Sequence, residues 1–228
     1  MAELVESLIA IPGAVAVARA RREGGTGPGA PGGQPPYLLY YRGELDAAKL
    51  RGLERGADVI ARDLDSVERR MTEARKGRFA IEAADDWLAG RPTYALVGEL
   101  AMCEVLSGEL PRPGFPAGLR EPAARRWREV AARALEVAES LASPADVAGC
   151  GGQLAKSSIA AAHARLAEQG EWVLGEAGIV RRAGLGRTEA ILAATGRRPL
   201  DLERAVTRMR VALGLSAAEA REAGPDSR

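Results

Sequence analysis

The 228-residue chain carries 32 Lys and Arg against 31 Asp and Glu, a net charge of +1, so no bulk field draws it to nucleic acid or to an anionic membrane. Its length suffices for one large domain or two small ones, each able to bury a core. The two cysteines, Cys103 and Cys150, have no Cys or His nearby at ligand spacing, which speaks against a structural metal site and a disulfide framework.

In chain order, "AELVESLIAI" puts Leu4, Val5, Leu8 and Ile9 on one helical face, and "PGAVAV" then switches to a short β-prone run. The segment also carries acidic residues where a secretory leader needs basic ones, and no apolar run in the chain reaches membrane length. A cytoplasmic protein without a membrane partner is therefore expected. "GGTGPGAPGGQPP", Gly24 to Pro36, follows. Glycine takes positive φ freely and proline lacks an amide donor, so this stretch cannot continue a strand; it reads as a flexible surface loop with no apolar anchor.

"YLLYY", Tyr37 to Tyr41, predicts a second strand, and "GELDAAKLRGLERG" a surface helix closed by Gly56. "ADVIARDL" is a weaker strand candidate; Asp65 or Ser66 is the expected cap of the next helix, "SVERRMTEAR", with Glu68 in its first turn. From Pro92 the strand signal disappears. "PTYALVGELAMCEVL" reads as one helix with Pro92 in its first turn, and "SGELPRPGFPAGL" breaks it with three prolines.

Beyond that break, "EPAARRWREVAARALEVAESLA", "SPADVAGCGGQLAKSSIAAAHARLAEQG" and "LDLERAVTRMRVALGL" repeat apolar residues at helical spacing, and the tail from Ser216 is polar. The expected fold class is α+β: a domain over residues 1–110 with a small mixed sheet, then an all-helical bundle over 111–228. No internal repeat favours a solenoid.

The order helix, strand, glycine-bearing loop, strand ending in "YYRGELD", then a helical half containing "EWVLGEAG" resembles the nucleotidyltransferases related to the aminoglycoside (kanamycin-type) enzymes, within the DNA polymerase β-like superfamily. The segments "IPGAVAVA", "LLYYRGELD", "ARDLDSVERRMTEARKGRF", "YALVGELAMCEVLSGEL" and "AAAHARLAEQGEWVLGEAG" stand in the family's order. The resemblance implies a phosphate-cradling Gly-Ser pair after the first strand, a magnesium-binding Asp-x-Asp at the start of the second and a third Asp on a later strand. Phosphoryl transfer depends mainly on positioning and charge neutralisation, so such carboxylates are indispensable to it.

In this chain the Asp-x-Asp positions fall on Gln34 and Pro36, neither of which supplies a carboxylate. The Gly-Ser pair aligns with "RARR" or, with a shortened loop, with Gly25 and Thr26, which would keep a phosphate-binding nest. Asp58 matches the third carboxylate, and the segment from Leu53 to Asp58 is shorter than the family's. In "EWVLGEAG", Trp172 and Glu176 match a Trp-x-x-Asn-Glu-Lys segment whose Asn and Lys are replaced here by Gly175 and Ala177.

The resemblance thus implies a family member that has lost its metal ligands, persisting as a pseudoenzyme or as a repurposed small-molecule-binding or biosynthetic protein without a cofactor. Tyr41, Arg42, Trp172 and Glu176 would line its ligand cleft. The alternative is a working transferase that places a nucleoside monophosphate on a hydroxylated acceptor such as an aminoglycoside. It would require Mg2+ and a nucleoside triphosphate, with Asp58 and Glu99 sharing the metal. A third reading makes the helical half a binding or assembly module, with a homodimer as one form.

Two further residues stand out. Glu99 is a charge on an otherwise apolar helix, a place that demands a partner or a pocket. His163, the one histidine, sits among alanines at positions expected to pack in a core, with nothing to make it a general base. "RRAGLGR", Arg181 to Arg187, reads as a solvated basic turn or an anion site.

Overall fold

A computed structural model describes residues 2–21, 34–54 and 57–215. Gly25, Thr26, Gly56, most of the Gly/Pro loop and the tail from Ser216 lie outside the described residues. The chain divides into two compact units with interleaved segments. The first takes Met1–Glu82, Pro92–Leu119 and Trp172–Gly175; the second takes Ala83–Arg91, Arg120–Glu171 and the chain from Glu176 onward.

The first unit is built on a four-stranded mixed sheet. Helix α1 (Ala2–Ile9) leads into β1 (Ala14–Arg19), which pairs antiparallel with β2 (Tyr37–Tyr41), the register running from Ala14 opposite Tyr41 to Arg19 opposite Tyr37. Helix α2 (Ala47–Glu54) connects β2 to β3 (Val59–Asp63), which lies parallel to it with Tyr37 beside Val59 and Tyr40 beside Arg62. Helix α3 (Leu64–Arg75) follows directly.

The continuous apolar runs of β1 and β2 are those of strands covered on both faces. Ala16, Ala18, Leu38 and Tyr40 meet Leu64, Val67, Leu100 and Cys103 on one side, while Val17 and Leu39 meet Leu8, Ile11 and Leu50 on the other. At about 25 cal/mol per Å2, each fully buried leucine in these clusters contributes roughly 2 kcal/mol.

Strands β4 (Ile81–Ala84) and β5 (Trp87–Pro92) form a separate two-stranded hairpin, and α4 (Ala95–Met102) precedes β6 (Glu104–Gly108). The sheet order is β3-β2-β1-β6. Strand β6 corrects the expectation that strand structure ends at Pro92, and β4 and β5 fall in a stretch for which no element was expected. Pro92 closes β5 rather than opening a helix, and the single helix expected through "EVL" stops at Met102. Cys103 turns extended (φ −62°, ψ 153°) and its amide closes the helix on the Glu99 carbonyl at 2.9 Å. Gly108 then takes φ +81° so close to β1 that a Cβ there would stand 2.3 Å from the Val15 carbonyl oxygen, a position only glycine tolerates.

The helix after β3 is also capped two to three residues earlier than expected. Asp63, not Asp65 or Ser66, is the N-cap of α3, its carboxylate accepting from the amides of Asp65 at 3.1 Å and Ser66 at 3.2 Å.

The C-terminal region is helical: α5 (Ala117–Ala142), α6 (Val147–Gln169), α7 (Ile179–Arg182), α8 (Arg187–Ala193) and α9 (Pro199–Leu213). Helix α6 is the hub of the second unit and packs against α7, α8 and α9. Its abundant alanines let neighbours approach closely, and Leu154, Ala160, Ala162 and Leu166 are fully buried. Asp146 caps its first turn through the Gly149 amide, and Gly170 ends it in the left-handed conformation. No described helix is long and apolar enough to cross a membrane.

Candidate functional site

The parallel register of β2 and β3 brings the residues singled out from the family resemblance to one end of the sheet. Tyr37 lies beside Val59, so the residues just before them, Pro36 and Asp58, are neighbours, and the Tyr37 amide donates to the Asp58 carbonyl at 2.8 Å. Pro36 is buried and its carbonyl accepts from the Ala20 amide at 3.0 Å, while Gln34 and Asp58 are exposed. Glu104 opens β6 at the same end, opposite Arg19. Three strand spacings separate Asp58 from Glu104, about 14 Å, too far for the two carboxylates to hold one ion.

Glu99 is not part of that end. It is buried on α4 and grips Arg62 of β3 with both oxygens, Nε to Oε1 at 2.6 Å and Nη2 to Oε2 at 3.0 Å. Arg62 lies four residues beyond Asp58 along β3, about 13 Å at strand rise. Glu99 is thus committed to Arg62, and no group of three or more His, Cys, Asp or Glu suited to a metal exists among the described residues. The donor set present does not fit a magnesium ion.

The Arg62–Glu99 pair has a clear electrostatic signature. Burial by itself lowers the pKa of the Arg62 guanidinium, and the bidentate Glu99 contact more than reverses it. Tyr40, beside Arg62 in the sheet, is held neutral well above the usual phenol range, first by burial and then by the Glu99 charge and Cys103. Burial likewise pushes the Cys103 thiol up. These groups form a closed interior pair and its apolar surroundings.

The residues expected to line a cleft fall on different elements, Tyr41, Arg42 and Trp172 in the first unit and Glu176 in the second. Tyr41 is half-buried at the far end of β2, beside Asp63. Arg42 is exposed and engaged by Asp65 and Glu68 of α3. Along α3 runs an open groove of about 650 Å3, lined by Asp65, Glu68, Arg69, Arg70 and Glu73 among others. Trp172 packs in the first unit against Phe115 (centroids 4.8 Å apart) and Tyr94 (6.3 Å), and its indole N–H points to the Pro113 carbonyl at 3.4 Å.

Glu176 belongs to the second unit. Its oxygens accept from the amides of Leu88 at 2.5 Å and Ala89 at 3.0 Å, and its side chain is 8 % exposed. Beside it His163 stacks against Trp127 (centroids 4.2 Å apart, planes at 13°) and Trp87 (5.7 Å, 25°). The basic turn at Arg181 to Arg187 is partly neutralised, Arg181 pairing with Glu189 and Arg182 with Glu171.

Sequence reasoning did not find Arg62, Trp87 or Trp127. Arg62 carried a usable signal, an arginine next to the apolar run Val59–Ala61 that matches the lone Glu99 in charge. Compared with known proteins, the chain matches no family model, no curated protein and no solved structure.

Proposed function

We propose that this chain descends from the nucleotidyltransferase family, no longer transfers nucleotidyl groups, and serves as a pseudoenzyme or repurposed small-molecule-binding protein. The observation that carries the reading is the placement of Pro36 and Asp58 just before β2 and β3, where Tyr37 lies beside Val59 and its amide donates to the Asp58 carbonyl. The sheet end that needs an Asp-x-Asp and a third carboxylate offers Gln34, Pro36 and one exposed aspartate. The Glu99 carboxylate is neutralised by Arg62 and cannot make up the set. Ligands that act as a unit in stabilising a transition state lose most of their effect together, on the order of a thousandfold or more in rate.

The test incubates the full chain with labelled nucleoside triphosphates, magnesium or manganese, and a panel of hydroxylated acceptors including aminoglycosides. The expected outcome is no product above the no-enzyme control. Transfer that disappears in Asp58→Ala would overturn the reading in favour of a working transferase. Calorimetric titration with magnesium–ATP, expected to give no heat beyond dilution, measures nucleotide binding separately from turnover.

A further inference from the structure

His163 is wholly enclosed in the helical unit, its side chain at 0 % exposure. Neither ring nitrogen has a hydrogen-bond partner among the described residues; the nearest carboxylate oxygen, Oε1 of Glu176, is 3.7 Å from Nε2, beyond hydrogen-bond reach. Each Glu176 oxygen already accepts one backbone amide, from Leu88 or Ala89. The ring is held by stacking against Trp127 of α5 and Trp87 of β5. Ordinarily a buried imidazole shows at least one donor or acceptor contact that sets its tautomer, and this one shows none.

Protonation would place a cation and two N–H donors in that cage. Cation–π attraction to the stacked indoles would return only part of the burial penalty, and at least one N–H would be left without an acceptor. Two charged groups act on the ring. Glu176, from the segment before α7, favours the cation, and Arg182 of α7 opposes it; burial outweighs both and moves the imidazole below its ordinary range.

We propose that His163 is an acid-released catch in the helical unit: the cage of Trp87, Trp127 and Glu176 accepts only the neutral ring, so protonation expels it and loosens the packing of α5 and α6. The catch stands independently of any nucleotide chemistry. Below about pH 6.5 the unfolded chain takes up a proton that the folded chain refuses, so stability falls as pH falls. One such proton raises the unfolding equilibrium constant by up to about tenfold per pH unit.

The chain has a single histidine, which makes the test direct. In the full-length protein, the imidazole NMR resonance is expected to keep its neutral position from pH 7.5 to 5.5 while the fold persists, with urea unfolding midpoints declining over the same range. His163→Phe, which retains a ring in the stack, is expected to flatten that decline; His163→Gln, neutral at every pH, takes its place should the phenylalanine variant not fold. Reversible titration of His163 near pH 6.5 in the folded protein, or an undiminished decline in the folded variant, would overturn the proposal.

Discussion

Glu99 and Arg62 show how one buried charge is made tolerable. Removing either partner leaves the other desolvated, whereas replacing both with apolar side chains removes the desolvation cost along with the attraction. Arg62→Met and Glu99→Leu are therefore each expected to lower unfolding stability by about 3 kcal/mol, and the double variant by clearly less than the sum. Urea denaturation of the four proteins closes the cycle. Additive losses would mean that the two side chains act separately, against the bidentate contact at 2.6 and 3.0 Å. The anomaly at Glu99 was legible in the sequence because a carboxylate on an apolar helix violates burial preferences. Its partner was not, because the two residues are 37 positions apart on elements whose adjacency only the folded sheet creates.

At the scale of elements, the junction of β3 and α3 depends on Asp63. Its carboxylate takes up two amides of the first helical turn and the Ser66 hydroxyl, and that hydroxyl, more than the amides, holds its pKa below the usual aspartate range. A depressed carboxylate stabilises above the unfolded pKa, near 4, and its contribution is lost as pH falls through the folded value. Asp63→Ala is expected to cost about 1 kcal/mol at pH 7, while Asp63→Asn keeps most of the cap and weakens the pH dependence below pH 4. Thermal unfolding at pH 7 and pH 3 distinguishes the two. Strand β2 could be read from "YLLYY" because an unbroken aromatic and aliphatic run bounded by Pro and Gly admits few other conformations. Strand β6 could not: "GELAMCEVL" continues the helical spacing through Cys103, and what makes Glu104–Gly108 a strand is its antiparallel pairing with β1, nearly ninety residues earlier in the chain.

For the molecule as a whole, the α+β class and the helical C-terminal region followed from hydrophobic periodicity, whereas the interleaving of the two units did not. Trp172–Gly175 joins the first unit and Ala83–Arg91 the second through contacts that local pattern does not encode. The functional reading turns on Pro36 and Asp58, and substitution can probe it. Gln34→Asp with Pro36→Asp would place three carboxylates at one sheet end, one of them at a buried position, where like charges repel and desolvation adds to the cost. The double variant is thus expected to melt below the wild type in the presence of a chelator. Magnesium–ATP should relieve the repulsion by supplying the missing cation, and at a hundredfold excess over Kd a ligand of the native state stabilises by about 2.7 kcal/mol. Wild-type protein is expected to show no such rise in Tm. A variant destabilised to the same extent with and without magnesium–ATP would show that the β2 and β3 ends do not present their side chains to a common ion, and the proposed descent would be overturned.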